Sequence, residues 1–305
     1  KGNNPANIRP GSTLSVDEFA GSHFDFMLSN PPYGKSWASE QKFIKDDGDV
    51  IDPRFKVSLG DYWGNLEMQD ATPRSSDGQL LFLMEMVNKM KAPGDSGLGS
   101  RIASVHNGSS LFTGDAGGGE SNIRRHLIEN DLLDAIIQLP NNLFYNTGIT
   151  TYIWLLSSNK PAQRRGKVQL IDASLLYRKL RKNLGNKNCE FAPEHIERIT
   201  QTYLDLASVD RPAGGDGIAA QVFDNRDFGY HKVSIERPDR RKAQLSAERI
   251  EILRFDKALR EPMQWIYQQW GDALYQDATL AIHEKAILAW CEEQGLELNT
   301  KQRKK

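Results

Sequence analysis

Four consecutive residues, Asn30-Pro31-Pro32-Tyr33, combine hydrogen-bond acceptors with an aromatic ring. Asn30 offers a carboxamide oxygen, and Pro31 offers a backbone carbonyl without an N–H of its own. Tyr33 adds a flat aromatic face. Two acceptors beside such a face could hold an exocyclic amino group while the ring that carries it stacks. A simpler interpretation is a turn, since Asn and Pro are common turn residues.

The stretch before this tetrapeptide has the pattern of a buried strand. Four of the six residues at 24–29 are large and apolar, which favours a central strand with both faces covered. The two prolines then prevent further strand pairing. In an open α/β sheet, ligands usually bind at the carboxyl ends of the strands. The pattern therefore predicts a ligand site at residues 30–33.

Composition and charge limit the classes of protein. The chain has 305 residues, enough for one large domain or two smaller ones, and its net charge of -1 means that any basic face must be local. Cys189 and Cys291 lie far apart and lack the spacing of a zinc site or a disulfide framework. No apolar run approaches the roughly 20 residues of a membrane helix. We therefore expect a cytoplasmic protein with no metal site and no membrane segment.

Strand-like and helix-like patterns alternate through the first half of the chain. Strands are expected at 24–29, 101–107, 133–140 and 149–156, and helices at 80–90 and 121–130. Because a short loop and no helix separates the last two strands, they should form an antiparallel pair at a sheet edge. This order predicts an α/β fold, the second half of a doubly wound sheet with an antiparallel edge strand. Residues 36–78 are polar and are expected to form a long loop.

The character of the chain changes beyond residue 173. A basic run, Arg178, Lys179, Arg181 and Lys182, suits contacts with phosphate groups, although a solvated surface explains it equally well. Apolar residues recur at helical spacing from 252 to 270, which indicates helices that either pack on the main domain or form a partner surface. We expect three regions: an α/β domain at 1–173, a mixed basic extension at 174–240 and a mainly helical region at 241–305.

Five stretches, in this order, resemble the modification (M) subunit of type I restriction–modification systems, a family of adenine-N6 DNA methyltransferases. They are residues 24–34, 52–55, 111–114, 139–149 and 227–238. Their shared order is far more specific than any one of them. The resemblance implies the doubly wound sheet of an S-adenosylmethionine-dependent methyltransferase.

The resemblance implies a role for each residue of the turn. The reaction would be methyl transfer from S-adenosylmethionine to N6 of an adenine flipped out of double-stranded DNA. Asn30 and the Pro31 carbonyl would accept hydrogen bonds from N6. Tyr33 would stack on the base, and Pro32 belongs to the same motif.

Further residues and partners are implied in the same way. Phe144 or Tyr145 could close the other face of the base, and the alternative is that both are strand-edge aromatic residues packed in the core. The basic run would contact DNA phosphates. The family works with a DNA-specificity subunit, and its further partners are a second M subunit and a restriction (motor/nuclease) subunit. The family alone assigns the final helices to subunit association.

The chain departs from the family pattern at the cofactor site. The family binds S-adenosylmethionine through a Gly-rich loop and an acidic residue that both lie upstream of the tetrapeptide. Only 29 residues precede Asn30, and none lies in such a loop. Ser12 stands where many relatives place an acidic or amide residue near the cofactor's adenine. We therefore expect a carboxyl-terminal fragment without the first strands and the main cofactor loop.

Two other interpretations of function stay open. The same tetrapeptide occurs in methyltransferases that act on the amide of a protein glutamine, so the chain could be a protein-glutamine N-methyltransferase. It could also be a non-catalytic assembly fragment, whose C-terminal helices bind a specificity subunit while the turn stays idle.

Overall fold

The computed structural model describes residues 4–61, 63–92, 97–145, 147–211, 217–236, 248, 252, 260–270, 280–295 and 297–300. The chain forms two compact units, residues 1–232 and residues 233–305. The strands are β1 (Phe26–Ser29), β2 (Lys45–Asp46), β3 (Asp49–Val50), β4 (Lys56–Gly60), β5 (Leu66–Asp70), β6 (Arg101–Asn107), β7 (Leu133–Gln138), β8 (Thr151–Ser157), β9 (Lys167–Asp172), β10 (Arg178–Leu184), β11 (Lys187–Glu190) and β12 (Ala219–Asp224). The α-helices are α1 (Gln41–Ile44), α2 (Gln79–Asn88), α3 (Ser109–Phe112), α4 (Gly119–Glu129), α5 (Pro193–Leu204), α6 (Arg260–Trp270) and α7 (Leu280–Glu293).

A six-stranded mixed sheet in the order β1-β6-β8-β7-β9-β12 organises the first unit. Strands β1, β6, β7 and β9 run in the same direction, whereas β8 and β12 run against them. The expected mixed α/β architecture is therefore confirmed. Because the four parallel strands end on the same side, the segments that follow them meet at one edge of the sheet, which we call the carboxyl edge.

The antiparallel pair of β7 and β8 forms as predicted, but its expected location at a sheet edge is wrong. Strand β8 pairs with β6 on its other side, and β7 continues the sheet through β9. The reason lies in the side chains of β8, which are apolar on both faces. Trp154 and Leu156 join the core on one face, and Ile153 and Leu155 pack against the core on the other. A strand of this kind gains most from an interior place.

Strand β1 is not the buried central strand that its apolar sequence predicts. It lies at the end of the sheet in the described part of the chain, with Met27 buried but Phe26 73% and Leu28 85% exposed. Only β6 pairs with it there, and Phe26 and Leu28 point to the same face of the sheet, which no described element covers at this position. Its apolar sequence is that of a strand covered on both faces, whereas here the face that carries Phe26 and Leu28 is exposed.

The expected long loop at 36–78 is also wrong, because this segment contains α1 and two β-hairpins, β2–β3 and β4–β5. Its apolar residues are few but well placed. Trp37, Ile44 and Phe55 are buried in the same core as α2 and α4. Val57 and Leu59 alternate inward along β4 in the period of two that a half-exposed strand requires.

The second unit contains α6 and α7 in its described part. Cys291 of α7 is buried there against a small cluster that includes Met263 and Trp290. No helix in the described ranges is long and apolar enough to cross a lipid bilayer.

We predict that Gly119→Ala lowers the free energy of unfolding by about 3 kcal/mol, because the added methyl group overpacks the start of α4. A Cβ at Gly119 would lie 1.8 Å from the carbonyl oxygen of Thr72, which is backbone and cannot swing away. Urea denaturation of the 305-residue chain measures the change. The control is Gly60→Ala, whose Cβ has no neighbour nearer than 4.0 Å. Equal stability of the two variants would contradict this packing.

Candidate functional site

The four residues of the predicted turn lie together directly after β1, at the carboxyl edge. Asn30 and Pro32 are exposed, Pro31 is buried and Tyr33 is half-buried. Neither the Asn30 carboxamide nor the Pro31 carbonyl receives a hydrogen bond from the described residues. Burial raises the pKa of Tyr33, so its hydroxyl stays protonated at neutral pH. The turn thus presents two free acceptors beside an aromatic ring.

The turn is held in place from its carboxyl-terminal side. The N–H of Gly34 donates to Oδ1 of Asp77 at 3.0 Å, and the N–H of Gly78 donates to the carbonyl of Lys35 at 3.1 Å. Gly34 has a φ of 65°, a left-handed conformation that favours glycine. These bonds attach the turn to the segment that precedes α2.

Asp77 is a buried carboxylate, 6% exposed, and forms no ion pair within the described ranges. Its oxygens are satisfied instead by neutral donors. Besides Gly34, the Nε2 of Gln79 lies 2.7 Å and the Oγ of Ser109 lies 2.8 Å from Oδ2. Each of these donors satisfies an oxygen that burial removes from water. Asp77 therefore joins the segments that follow β1 and β6 to the start of α2.

Gln79 extends this network toward β6. Its Nε2 also lies 2.7 Å from Oδ1 of Asn107, and its Oε1 accepts from the N–H of Asn107 at 3.1 Å. The same Oε1 is 3.2 Å from Nδ1 of His106. Burial lowers the pKa of His106 to about 3, so the ring is neutral and Nδ1 must carry the proton that it donates to Gln79. Hydrogen bonds at both the nitrogen and the oxygen fix the orientation of the Gln79 amide.

Sequence reasoning missed this network. It predicted a helix from residue 80 and gave Asp77, Gln79, Asn107 and Ser109 no role in a site. A signal was present, because Gln79 comes directly before a run of five apolar residues and proves to be 1% exposed. A polar side chain at such a position needs partners nearby.

Phe144 and Tyr145 follow β7 at the same edge but differ in their surroundings. Phe144 is partly buried and packs against the core on the α5 face of the sheet. Tyr145 is 59% exposed, and the Nζ of Lys187 lies 5.7 Å from its ring centroid. The core interpretation therefore fits Phe144, whereas the ring of Tyr145 is open to a ligand.

The basic run lies on β10, which forms a two-stranded hairpin with β11. Arg178 pairs with Glu190 across the hairpin at 2.8 Å. Lys179, Arg181 and Lys182 are exposed and form no ion pair with the described residues. Backbone N–H groups of β11 and the hairpin turn bind the loop after β7, since Asn186 donates to the carbonyl of Tyr145 at 2.9 Å. The structure thus attaches the hairpin that carries the basic run to the loop that carries Tyr145.

Ser12 is exposed, and its carbonyl accepts from the N–H of Ser15 at 3.0 Å and of Val16 at 3.1 Å. Its hydroxyl makes no hydrogen bond to the described residues, and none of its contacts there reaches the turn. The structure therefore does not join Ser12 to the residues at 30–33.

A mixed α/β sheet whose strand ends in an acceptor-and-aromatic turn is typical of enzymes that methylate amino groups. The model of the family described as N-6 DNA Methylase matches residues 2–223, and the chain belongs to this family.

Two relatives show how much of a longer protein the chain covers. It is 28% identical over 197 residues to the type I restriction enzyme MjaIX methylase subunit of Methanocaldococcus jannaschii, a match that covers 64% of this chain and 30% of the relative. The solved methyltransferase subunit of a type I restriction-modification system from Streptococcus thermophilus is 27% identical, with a TM-score of 0.52 over 71% of this chain and 38% of that one. A modification subunit of a putative type I enzyme from Vibrio vulnificus, 16% identical with a TM-score of 0.50, shares the fold. The chain spans about 30% of the length of the first of these relatives.

We predict that Asp77→Ala lowers the free energy of unfolding by about 3 kcal/mol, because it removes the acceptor shared by the Gly34 N–H, Gln79 and Ser109 and leaves Asn107 Oδ1 to serve the last two donors alone. Urea denaturation measures the loss. Glu18→Ala is the control, since Glu18 is exposed and should change stability by less than about 0.5 kcal/mol. If both variants unfold at the same urea concentration, the buried network does not stabilise the fold.

Proposed function

We propose that this chain supplies the adenine-holding part of a type I modification subunit, an enzyme that methylates N6 of adenine in double-stranded DNA. The observation that carries the proposal is the pair of free acceptors, Asn30 and the Pro31 carbonyl, beside the half-buried ring of Tyr33. Membership of the N-6 DNA Methylase family supports the choice of adenine as substrate. The α/β region at 1–173 is the catalytic domain in this proposal.

The chemistry of the turn matches an adenine that has left the double helix. Flipping costs a few kcal/mol, which stacking in a pocket offsets. Tyr33 provides the stacking face. The amino group of adenine has two N–H donors, and the two acceptors of the turn can take one each. This arrangement draws the amine toward tetrahedral geometry and localises its lone pair for attack.

The turn needs no strong base for this work. Its only titratable side chain is Tyr33, whose raised pKa keeps the hydroxyl neutral. Positioning and charge complementarity can supply the rate enhancement instead. We assign the second face of the base to Tyr145 rather than Phe144, because the Tyr145 ring is exposed and Phe144 packs in the core.

The methyl donor that the family implies is S-adenosylmethionine. Of the described residues, Ser12 alone has been assigned to it, and one exposed hydroxyl offers a single weak contact. The side chains of Phe26 and Leu28, next to the turn, are open to solvent. The described residues do not by themselves make a site that fits this group.

The remaining regions have roles in assembly and DNA binding under this proposal. The basic hairpin within the extension at 174–240 contacts DNA phosphates. The helical region at 241–305 associates with a DNA-specificity subunit. A second M subunit and a restriction subunit complete the complex in which type I methylation takes place.

Asn30→Ala should lower the rate of DNA methylation by the complete assembled enzyme by about 10²–10³-fold, because one of two aligned acceptors is lost. Transfer of labelled methyl groups to duplex DNA measures the rate. Asn7→Ala is the matched control, since Asn7 is exposed in a short helical turn near the N-terminus. Asn30 is exposed, so the variant should fold normally. Methylation at the normal rate by a folded Asn30→Ala enzyme would refute the role of the turn.

Replacing Lys179, Arg181 and Lys182 together with Gln should weaken binding to duplex DNA and flatten its salt dependence. Each lost phosphate contact should reduce the slope of log K against log[salt] by about 0.9. Adding Arg178→Gln should have less effect, because Glu190 already pairs with that residue. Arg165→Gln is the control, since Arg165 is exposed near the start of β9, at the opposite edge of the sheet. An unchanged slope in the triple variant would exclude the hairpin from DNA binding.

A further inference from the structure

A polar cavity of about 480 Å³ lies beneath the basic hairpin, beside the carboxyl ends of β7 and β9. Its volume is within the range of ordinary ligand pockets. Five carboxamide side chains line it: Gln138, Asn141, Asn142, Asn183 and Asn188. No carboxylate lines it in the described part of the chain. We call this cavity the amide pocket.

The walls of the amide pocket are fixed by backbone hydrogen bonds. The N–H of Asn188 donates to the carbonyl of Asn142 at 3.1 Å, and the N–H of Ala173 donates to the carbonyl of Gln138 at 3.0 Å. The buried thiol of Cys189 donates to the carbonyl of Asn141 at 3.2 Å. Three segments of the chain are thereby held around the cavity before any ligand arrives.

The side chains of Gln138, Asn183 and Asn188 make no hydrogen bond to the described residues. Each carboxamide offers one acceptor and two donors. This mixture suits the edge of a nucleobase, which also carries donors and acceptors side by side. A pocket for a bare phosphate would instead need several cations.

Two further lining residues suit the rest of a nucleotide. Tyr177 provides an aromatic face on which a base can stack. Lys179 provides one cation, enough for the phosphate that accompanies the base. Lys179 makes no ion pair with the described residues. One cavity is therefore lined by an aromatic face for stacking, by hydrogen-bond partners for the edge of a base and by a cation for its phosphate.

The amide pocket is a different site from the turn at 30–33. Three strand spacings separate β1 from β7 in the sheet order, which corresponds to about 14 Å. Both sites nevertheless lie at the carboxyl edge, because β1 and β7 run in the same direction. One DNA molecule at this edge can reach both.

We propose that the amide pocket binds a second unstacked nucleotide of the DNA, other than the target adenine. The base contacts Gln138, Asn183 and Asn188, and its phosphate contacts Lys179. This assignment rests on the proposed function for the identity of the ligand as DNA.

The test compares two labelled single strands of six nucleotides that carry the same phosphates, one with bases and one with abasic residues throughout. Fluorescence anisotropy with the 305-residue chain measures the affinity for each. We expect the strand with bases to bind about tenfold more tightly than the abasic strand. Equal affinity for the two strands, or no binding of either, would overturn the proposal.

Variants then locate the preference for bases. The double variant Asn183→Ala and Asn188→Ala should reduce it to within about twofold, while Arg165→Gln should preserve it. Gln138→Leu should also reduce it, and because Gln138 lies on β7 this variant leaves the hairpin sequence intact. Unfolding curves like that of the unsubstituted chain show that each variant is folded.

Asn30→Ala separates this proposal from the function assigned to the turn. If the amide pocket binds a base of its own, this variant loses less of the preference than the Asn183→Ala and Asn188→Ala variant, because Asn30 contacts only the target adenine. The opposite result would overturn the amide pocket. In that case Asn30→Ala abolishes the preference for bases, the folded Asn183→Ala and Asn188→Ala variant retains it, and base binding belongs to the turn. A failed methylation prediction would leave the anisotropy result unaffected.

Discussion

A buried carboxylate, Asp77, governs the arrangement of the candidate site, and among the described residues it has no cationic partner. Asp77 is removed from water, and charge in that setting is tolerated only where donors converge on both oxygens. The donors come from Gly34, Gln79 and Ser109, which belong to three separate segments. Satisfying one charge therefore fixes the turn after β1, the start of α2 and the segment after β6 relative to one another. The turn is held in a defined position because Asp77, behind it, accepts hydrogen bonds at both oxygens.

The carboxyl edge contains a second linked assembly around the hairpin of β10 and β11. Strand β10 of this hairpin is exposed along most of its length, and Cys189 on β11 is the buried side chain of the pair, so burial alone does little to fix the orientation of the hairpin. Hydrogen bonds from its second strand and turn to the loop after β7 supply that orientation. Movement of the hairpin on DNA would therefore be transmitted to Tyr145 and to the walls of the amide pocket. DNA binding by the basic residues and closure over a base would then be coupled rather than independent.

The sequence predicted the features that depend on local pattern and missed those that depend on strand order. The tetrapeptide after β1 and the antiparallel pairing of β7 with β8 follow from neighbouring residues, and both predictions agree with the structure. The interior place of β8 depends on which strands flank it, and no local periodicity encodes that. Residues 36–78 were assigned to a loop because polar residues outnumber the few apolar anchors, such as Trp37 and Phe55. The Asp77 network joins residues up to 43 positions apart, beyond the reach of any spacing rule.

Strand β1 brings these points together. Its sequence is that of a strand covered on both sides, yet Phe26 and Leu28 are exposed and only β6 pairs with it among the described strands. Among the described strands, only β6 stabilises the end of β1 from which the turn begins. The hydrogen bonds from Gly34 to Asp77 and from Gly78 to Lys35 therefore contribute more to fixing the conformation of the turn than they would if a second strand flanked β1. Covering Phe26 and Leu28 would add stability to β1, whereas the bond from Gly34 to Asp77 holds the turn from its carboxyl-terminal side.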